Sequence, residues 1–383
     1  MTGETVSESA DPVTGRRVGW IELFFDLAFV AFVTEAAHAL HGAPGASTFL
    51  IFVAFSFPAW WAWSNLMVVV NLRPEVPARP LGIALLAAMG VALVMAASVS
   101  DGLQHVAAFA IACAALRLIQ LVLWIHRVRG YGLPIIRPTI YNGVTALIWA
   151  VSALLPVPWI FLAWALALVI EFVLLRTGNR RISRSSRIDV AHGSERLGLF
   201  LIILLGESVL SIVTSLGEHW TIASGLTALL GFLALAALAW AFFVVGDGVI
   251  ERGLAGLDRS HDLEGLLDTV LFLPYLFVVG VPLLAAGLYT AVADPLHPLP
   301  IGAAVCLFGG LTLFELGRCL IPLRYGTPLR RVLPWALPGV LLPLAGLAVT
   351  SLLSAIASVA VVTGVVALVV VIGATNRDYR ARG

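Results

Sequence analysis

Long apolar runs recur along the whole chain and are separated by short polar segments. A helix that crosses a lipid bilayer needs about 20 mainly apolar residues in a row. We count twelve such runs, at residues 20–40, 47–70, 81–100, 104–125, 138–155, 157–175, 197–216, 221–245, 269–293, 299–320, 333–350 and 352–373. The pattern predicts an all-α integral membrane protein with about twelve transmembrane helices.

The distribution of the basic residues supports this count. All 23 basic residues are arginine, and the cytoplasmic loops of membrane proteins carry an excess of positive charge. If the N-terminus lies in the cytoplasm, every arginine except Arg117 and Arg318 falls in a cytoplasmic loop or tail, and these two belong to spans four and ten. We therefore expect both termini to be cytoplasmic.

The composition excludes several classes of protein. Sixty per cent of the residues are hydrophobic and only 12% are charged, whereas a soluble domain carries about 25% charged residues. A soluble enzyme is therefore excluded, and the lipid bilayer is an expected partner. A net charge of +1 does not favour nucleic acid. The three cysteines lie singly in apolar runs, so we predict no disulfide and no metal site, and no cofactor fingerprint occurs.

The spans divide evenly into two halves, and a weak internal repeat suggests that the halves are related. Span one opens with RVGW at 17–20, and span seven opens with the similar RLGL at 196–199. Six helices per half would give a six-plus-six parallel repeat about an axis along the membrane normal, as in some transporters. The predicted segments are a cytoplasmic tail at 1–19, a first half at 20–175, an arginine-rich cytoplasmic loop at 176–196, a second half at 197–373 and a cytoplasmic tail at 374–383.

Two stretches carry a family resemblance. The first is ELFFDL at 22–27, which continues to His38, and the second runs from HxxER at 192–196 to LGES at 205–208. Together with the tryptophans of span two, they resemble the bacterial low-temperature-requirement protein A family. The resemblance implies a multi-pass protein of the bacterial cytoplasmic membrane, in a family without an established biochemical activity. The Phe-Phe-Asp element alone is also similar to the Phe-Ser-Asp signature of a lysosomal potassium-channel family.

Ionisable residues inside spans are costly and normally face protein or water, so they often mark function. Six carboxylates lie in or at the ends of the predicted spans, against only two arginines, and these carboxylates are Glu22, Asp26, Glu35, Glu171, Glu207 and Glu315. Some carboxylates must then be protonated, hydrated or bound to a mobile cation. We expect Asp26 and Glu207, together with Glu22, to form a proton or ion pathway. Glu22 is also close enough to the span end to reach the membrane interface.

The candidate counter-ions follow from the same spans. Arg117 needs a carboxylate because arginine stays charged, and we expect that partner to be Asp26 or Glu207, in a static or a functional pair. Arg318 lies three residues after Glu315, which favours a local salt bridge. We expect Glu171 to meet the arginines of the loop that follows it.

Further candidates lie at the mouth of span seven and in span two. His192, Glu195 and Arg196 are expected to hold a substrate or serve as counter-ions. The tryptophans of span two are expected either to pack inside the bundle or to form a wall for a bound solute, and they are Trp60, Trp61 and Trp63.

Three functions fit these features. The first is a proton-coupled secondary transporter of a small solute that uses the buried carboxylates and the intramembrane arginine. The alternative is a membrane-embedded enzyme that acts on a lipid or apolar metabolite, with His192, Glu195 and Arg196 as acid, base and anion clamp. An ion channel is the third. The sequence identifies neither the solute nor the oligomeric state.

Overall fold

The computed structural model describes residues 18–73, 78–130, 135–182, 187–188, 190–246, 248–260 and 262–375. Almost all of this part of the chain is helical. The helices are α1 (Trp20–His38), α2 (Ala46–Asn71), α3 (Ala78–Val99), α4 (Val106–Gly130), α5 (Ile136–Pro138), α6 (Thr145–Ser152), α7 (Trp159–Ile182), α8 (Val190–Glu218), α9 (Ile222–Trp240), α10 (Val249–Arg259), α11 (Leu263–Leu267), α12 (Tyr275–Ala293), α13 (Ile301–Ala304), α14 (Gly310–Arg324), α15 (Leu329–Ala348) and α16 (Ala355–Thr375).

Short irregular segments complete the helices. Segments of π-helix join α5 to α6 at Thr139–Val144, extend α9 at Ala241–Val245, follow α11 at Asp268–Phe272 and join α13 to α14 at Val305–Gly309, and one turn of 3-10 helix lies at Thr350–Leu352. Two strands of two residues each, β1 (Leu72–Arg73) and β2 (Arg187–Ile188), pair antiparallel, with Leu72 opposite Ile188.

The helices account for every predicted span. Among the described residues, ten helical segments are long and apolar enough to cross a membrane, which confirms a polytopic helical membrane protein. Of the other two predicted spans, α1 carries three carboxylates, and the span at 138–155 is built from α5, a π-helix and the short α6. The total of twelve crossings and the side on which the termini lie stay predictions.

The surface of the bundle suits a lipid environment. Ile83, Val122 and Leu147 expose more than three-fifths of their area on the outside of α3, α4 and α6. Burying apolar area in hydrocarbon is favourable, so such faces belong against lipid. The interior is aromatic around α1 and α2, where Phe25 and Trp63 are fully buried.

The connection between the halves is shorter than the sequence predicts. The predicted loop covers 176–196, whereas α7 continues to Ile182 and α8 already begins at Val190. Hydropathy alone assigns the polar residues at the end of α7 and the start of α8 to the loop. The difference is important because it puts His192 and Arg196 inside a helix rather than in a loop.

The two predicted halves share part of their packing order. In the first half α1 packs on α3, α3 on α4, and α4 on α6. In the second half α8 packs on α12, α12 on α14, and α14 on α15. Among the described residues, the close packing of α9 on α16 has no comparable counterpart between α2 and α7, and the six-plus-six repeat stays a prediction. The halves meet mainly where α1 lies against α8 and α12, and this seam contains the candidate site.

Candidate functional site

Two buried contacts connect α1 to α8 across the seam, a histidine–carboxylate contact and an ion pair, and we call them the ladder. Glu22 lies 2.8 Å from Nε2 of His192, and Asp26 Oδ1 lies 2.5 Å from Nη2 of Arg196. None of the four side chains exposes more than 1% of its area. The ladder therefore joins the two family-like stretches, which lie far apart in the sequence.

The spacing of these residues explains why the ladder has two rungs. Side chains four residues apart lie on the same face of a helix, and both Glu22 with Asp26 and His192 with Arg196 have this spacing. Each pair is separated along its helix by about 6 Å. Because the lower-numbered residues pair with each other, α1 and α8 run in the same direction, as expected for the first helices of two parallel halves.

Asp26 has the most complete set of partners in the ladder. Arg196 donates to it from both Nη2 and Nε, the latter at 3.4 Å, and Trp63 of α2 donates its indole N–H at 2.8 Å. The guanidinium carbon also lies 5.7 Å from the centre of the Trp63 ring. Charged hydrogen bonds of this kind are needed to offset the desolvation of a buried pair.

A further buried ion pair lies within the first half. Arg117 of α4 donates from Nε to Glu171 of α7 at 2.6 Å, and Trp61 donates to the other carboxylate oxygen at 2.5 Å. Both charged side chains are buried. The prediction that Arg117 pairs with Asp26 or Glu207 is therefore wrong, and so is the prediction that Glu171 meets the following loop. Both partners depend on the direction in which the side chains point, and a hydropathy pattern contains no information about that direction.

The tryptophans of α2 act as hydrogen-bond donors. Trp63 donates to Asp26, Trp61 donates to Glu171, and Trp60 donates to the carbonyl of Leu271 at 2.7 Å. All three are buried, and the rings of Trp60 and Trp63 stack with centroids 4.8 Å apart. Of the two expectations, packing inside the bundle is the one that these contacts fit.

A small cleft lies further along the same seam, and we call it the outer cleft. Its walls include Thr34, His38 and His41 from the α1 side, Glu207 from α8 and Pro282 from α12. Its volume is about 20 Å³, which is room for roughly one water molecule. Glu207 is half-buried and forms no hydrogen bond or ion pair with any described residue. It lies eleven residues beyond Arg196, or about 16 Å along the helix.

Histidines surround the mouth of the outer cleft. Nδ1 of His38 lies 3.3 Å from Glu35, and the rings of His38 and His41 are 5.3 Å apart. His41 stacks on Tyr289, with centroids 4.0 Å apart and planes 7° apart. Tyr289 in turn donates to Glu218 at 2.5 Å. Burial, and then the neighbouring His38, lower the pKa of His41 to about 4.

A surface network spans the seam near the ladder end. Arg176 of the first half contacts Asp268 of the second half at 2.7 Å, and Arg324 contacts both Asp268 and Asp262 at 3.1 Å. A backbone hydrogen bond from Gly265, together with Arg324, lowers the pKa of Asp262 below its ordinary value. The halves are thus connected by polar contacts at the surface as well as in the interior.

The predicted pair in span ten is present. Arg318 donates to both oxygens of Glu315 at 2.9 Å and lies over the ring of Trp335. Gly339 of α15 makes room for the carboxylate, because a Cβ there would lie 3.1 Å from it. The local salt bridge predicted from the spacing is confirmed.

The balance of charges differs from the sequence estimate. The expected excess of carboxylates counted only two cations, but Arg196 is a third buried cation paired with a carboxylate, and His192 lies buried against Glu22. Glu22 does not reach the membrane interface, since it is buried against His192. Of the six carboxylates, Glu207 is the one without a partner among the described residues. The repeated spacing at 22/26 and 192/196 was the signal in the sequence that could have revealed the ladder.

The residues proposed for catalysis do not converge. His192 and Arg196 are held by carboxylates of α1, whereas Glu195 is exposed on another face of α8. Sequence reasoning also missed the contributions of Tyr289 and Glu218 at the outer cleft, since neither belongs to a recognisable motif. Within the described ranges, no three His, Cys, Asp or Glu side chains gather as metal ligands.

Comparison with known proteins adds a family to this geometry. The chain matches the family model described as bacterial low temperature requirement A protein (LtrA) over residues 17–374. It is also similar to an uncharacterized protein of Rhizobium meliloti (strain 1021), with 26% identity over 321 residues, which is 77% of this chain and 75% of that protein. The family match includes both sides of the ladder and of the outer cleft.

Proposed function

We propose a function from the premise that this chain belongs to the bacterial low temperature requirement A protein family: it is a proton-coupled secondary transporter of a small solute. The observation that carries the proposal is the contrast along one seam between the two halves. At one end the ladder buries its charges in mutual contacts. At the other end Glu207 borders a cleft and has no cationic partner among the described residues.

The ladder supplies the closed end that alternating access requires. In transporters built from repeats, one half rocks against the other around a site near the midplane. Contacts that close one end must be specific yet able to separate, and hydrogen-bonded ion pairs that become hydrated on opening have this property. In this proposal the ladder and the Arg176–Asp268 contact close the cytoplasmic side.

Glu207 supplies the coupling site. A charged carboxylate deep in a span is unfavourable, so binding a proton there removes the charge and its desolvation cost. The state of Glu207 then biases how tightly α1 and α8 approach each other beside the cleft. A proton that favours one arrangement of the halves over the other couples its own movement to that of the solute.

The two alternatives lack a supporting observation of this kind. An enzyme would use His192, Glu195 and Arg196 together, but the first and last are held by Glu22 and Asp26 while Glu195 is exposed. A channel needs a path that is open at both ends at once, and the ladder fills the seam at one end.

The proposal is tested by solute-driven proton movement. The full chain is reconstituted in liposomes that contain a pH-sensitive dye, and a panel of small anionic, cationic and neutral solutes is added outside. We expect at least one solute to drive proton movement, and Glu207→Gln to abolish it because a neutral amide cannot exchange a proton. Glu195→Gln, which changes an exposed carboxylate on the same helix, is the matched control. Proton movement in Glu207→Gln equal to that of the unmodified chain would refute the coupling role.

A further inference from the structure

We infer that His38 and His41 form the entry path by which a proton from the outer side reaches Glu207. This inference rests on the proposed coupling role of Glu207 and assigns the residues that load it. Its basis is a set of neighbouring groups that leads from exposed side chains to the lining of the outer cleft.

The size of the cleft limits the ways in which a proton can reach Glu207. With about 20 Å³ it holds roughly one water molecule, so a long chain of waters does not fit inside it. A proton moves rapidly only along groups that can hydrogen-bond to one another. The titratable side chains that line the cleft beside Glu207 are His38 and His41, and we assign the remaining steps to them.

The contacts form a path with an exposed beginning and a half-buried end. His38 exposes 52% of its side chain and lies 3.3 Å from Glu35, which is 34% exposed. The ring of His38 is 5.3 Å from that of His41, a gap that rotation of either ring or one bridging water closes. Both histidines and Glu207 then share the cleft.

The groups around His41 fit a proton carrier rather than a structural histidine. From its own side it faces His38, from α8 it faces Glu218 and shares the cleft with Glu207, and from α12 it faces Tyr289. The parallel stack on Tyr289 holds the ring by its face and leaves its edge, with both nitrogens, free to bond. Tyr289 is itself fixed by its hydrogen bond to Glu218.

Each step conserves protons and forms no covalent bond between heavy atoms. A hydronium ion gives a proton to one ring nitrogen, and the other nitrogen releases a proton to the water in the cleft, which passes one on to Glu207. The imidazole returns to its neutral form, and the net change is one proton moved from the outer solution to the carboxylate. Imidazole suits this role because its two nitrogens act alternately as donor and acceptor. The lowered pKa of His41 makes it a brief carrier, which does not retain the proton.

The test measures how fast Glu207 is protonated and needs no solute. The full chain in lipid nanodiscs is subjected to a rapid pH drop, and infrared absorption follows the band of the protonated carboxyl, which is assigned by its absence in Glu207→Gln. We expect His41→Phe, which keeps the stack on Tyr289, to slow the rise of this band by roughly 10-fold or more, with the midpoint of its equilibrium titration little changed.

A second variant and a control show whether a slower rate in His41→Phe comes from a disturbed fold. His38→Asn changes an exposed side chain and is expected to slow the same step. His105→Phe removes an exposed histidine of another loop, which pairs with Asp101, and is expected to leave the rate unchanged. An unchanged rate in both His41→Phe and His38→Asn would overturn the entry path.

The outcomes separate this inference from the proposed function. If the Glu207 band titrates and solute-driven proton movement depends on Glu207, but the histidine variants load it at the normal rate, only the entry path is refuted. If the unmodified chain shows no Glu207 band at any pH and Glu207→Gln moves protons normally, the coupling role is refuted and the entry path with it.

Discussion

At the scale of single residues, the ladder shows how a membrane interior accommodates charge. Asp26 and Arg196 are both fully buried, and each is tolerable only because the other is present. Replacing one member of a buried ion pair leaves an uncompensated charge, which typically costs about 3–5 kcal/mol. A single substitution in the pair should therefore destabilise the fold much more than a matched double substitution that removes both charges.

This reasoning gives a stability prediction for the ladder. Asp26→Asn is expected to lower the free energy of unfolding by about 3–5 kcal/mol, because Arg196 loses its counter-ion. Addition of Arg196→Gln to that variant is expected to restore part of the loss. Unfolding of the detergent-solubilised chain measures both effects, and the exposed Glu195→Gln is the control. A stable Asp26→Asn chain would show that Arg196 has another partner.

The outer histidine gives a pH prediction of definite sign. The pKa of His41 is lowered to about 4 from 6.5, so the unfolded chain binds this proton more readily than the folded chain does. The stabilising contribution is complete above pH 6.5 and decreases as the pH falls toward 4. We expect His41→Phe to lose less stability than the unmodified chain between these values in thermal unfolding. Parallel curves for the two chains would contradict the assignment.

Sequence reasoning identified the important residues better than it identified their partners. Asp26, Glu207 and Arg117 stand out because a charge in an apolar run is visible in the sequence. Their partners depend on helix rotation, which the sequence reveals only where both partners lie on one helix, as with Glu315 and Arg318. This limitation explains why the pair of Glu315 and Arg318 was predicted correctly and the partner of Arg117 was not.

At the scale of helices, boundaries and close approaches are the main features. The start of α8 at Val190 is earlier than the hydropathy pattern predicts, because His192 and Arg196 of its first turns lie against the carboxylates of α1 and not in water. Hydropathy averages over all faces of a helix and cannot detect this. The path of α12 against α14 depends instead on glycine.

A glycine substitution tests that close approach. A Cβ added at Gly310 of α14 would lie 2.4 Å from the backbone nitrogen of Leu284 in α12, so Gly310→Ala must push the helices apart. We expect a loss of about 1–3 kcal/mol in unfolding measurements, as for other overpacked sites. Gly364→Ala in α16 is the matched control, since no atom lies within 4 Å of its added Cβ. Because alanine has a higher helix propensity than glycine, Gly364→Ala should be neutral or slightly stabilising. Equal stability of the two variants would contradict the tight packing.

At the scale of the whole molecule, the account concerns two halves and one seam. The fold class and the approximate positions of the membrane spans were predictable, because the spacing of apolar runs is set by the thickness of the bilayer, whereas α10 was not predicted. The arrangement of the seam was not, because it depends on which faces of α1, α8 and α12 meet. The structure places buried polar contacts at one end of the seam and, at the other, a cleft bordered by Glu207, which has no partner in the described part of the chain.

The most direct test of this account is whether the two ends of the seam open alternately. In a chain whose native cysteines are replaced, Ser211→Cys reports on the outer cleft, and Asn71→Cys reports on the ladder end, because Asn71 is buried beside the first turn of α8. Labelling with a water-soluble maleimide is expected to modify the first and spare the second. Adding Glu207→Gln, which imitates the protonated state, is expected to slow labelling at 211 and to speed it at 71. The same rates at both positions with and without Glu207→Gln would indicate a rigid seam and contradict transport by alternating access.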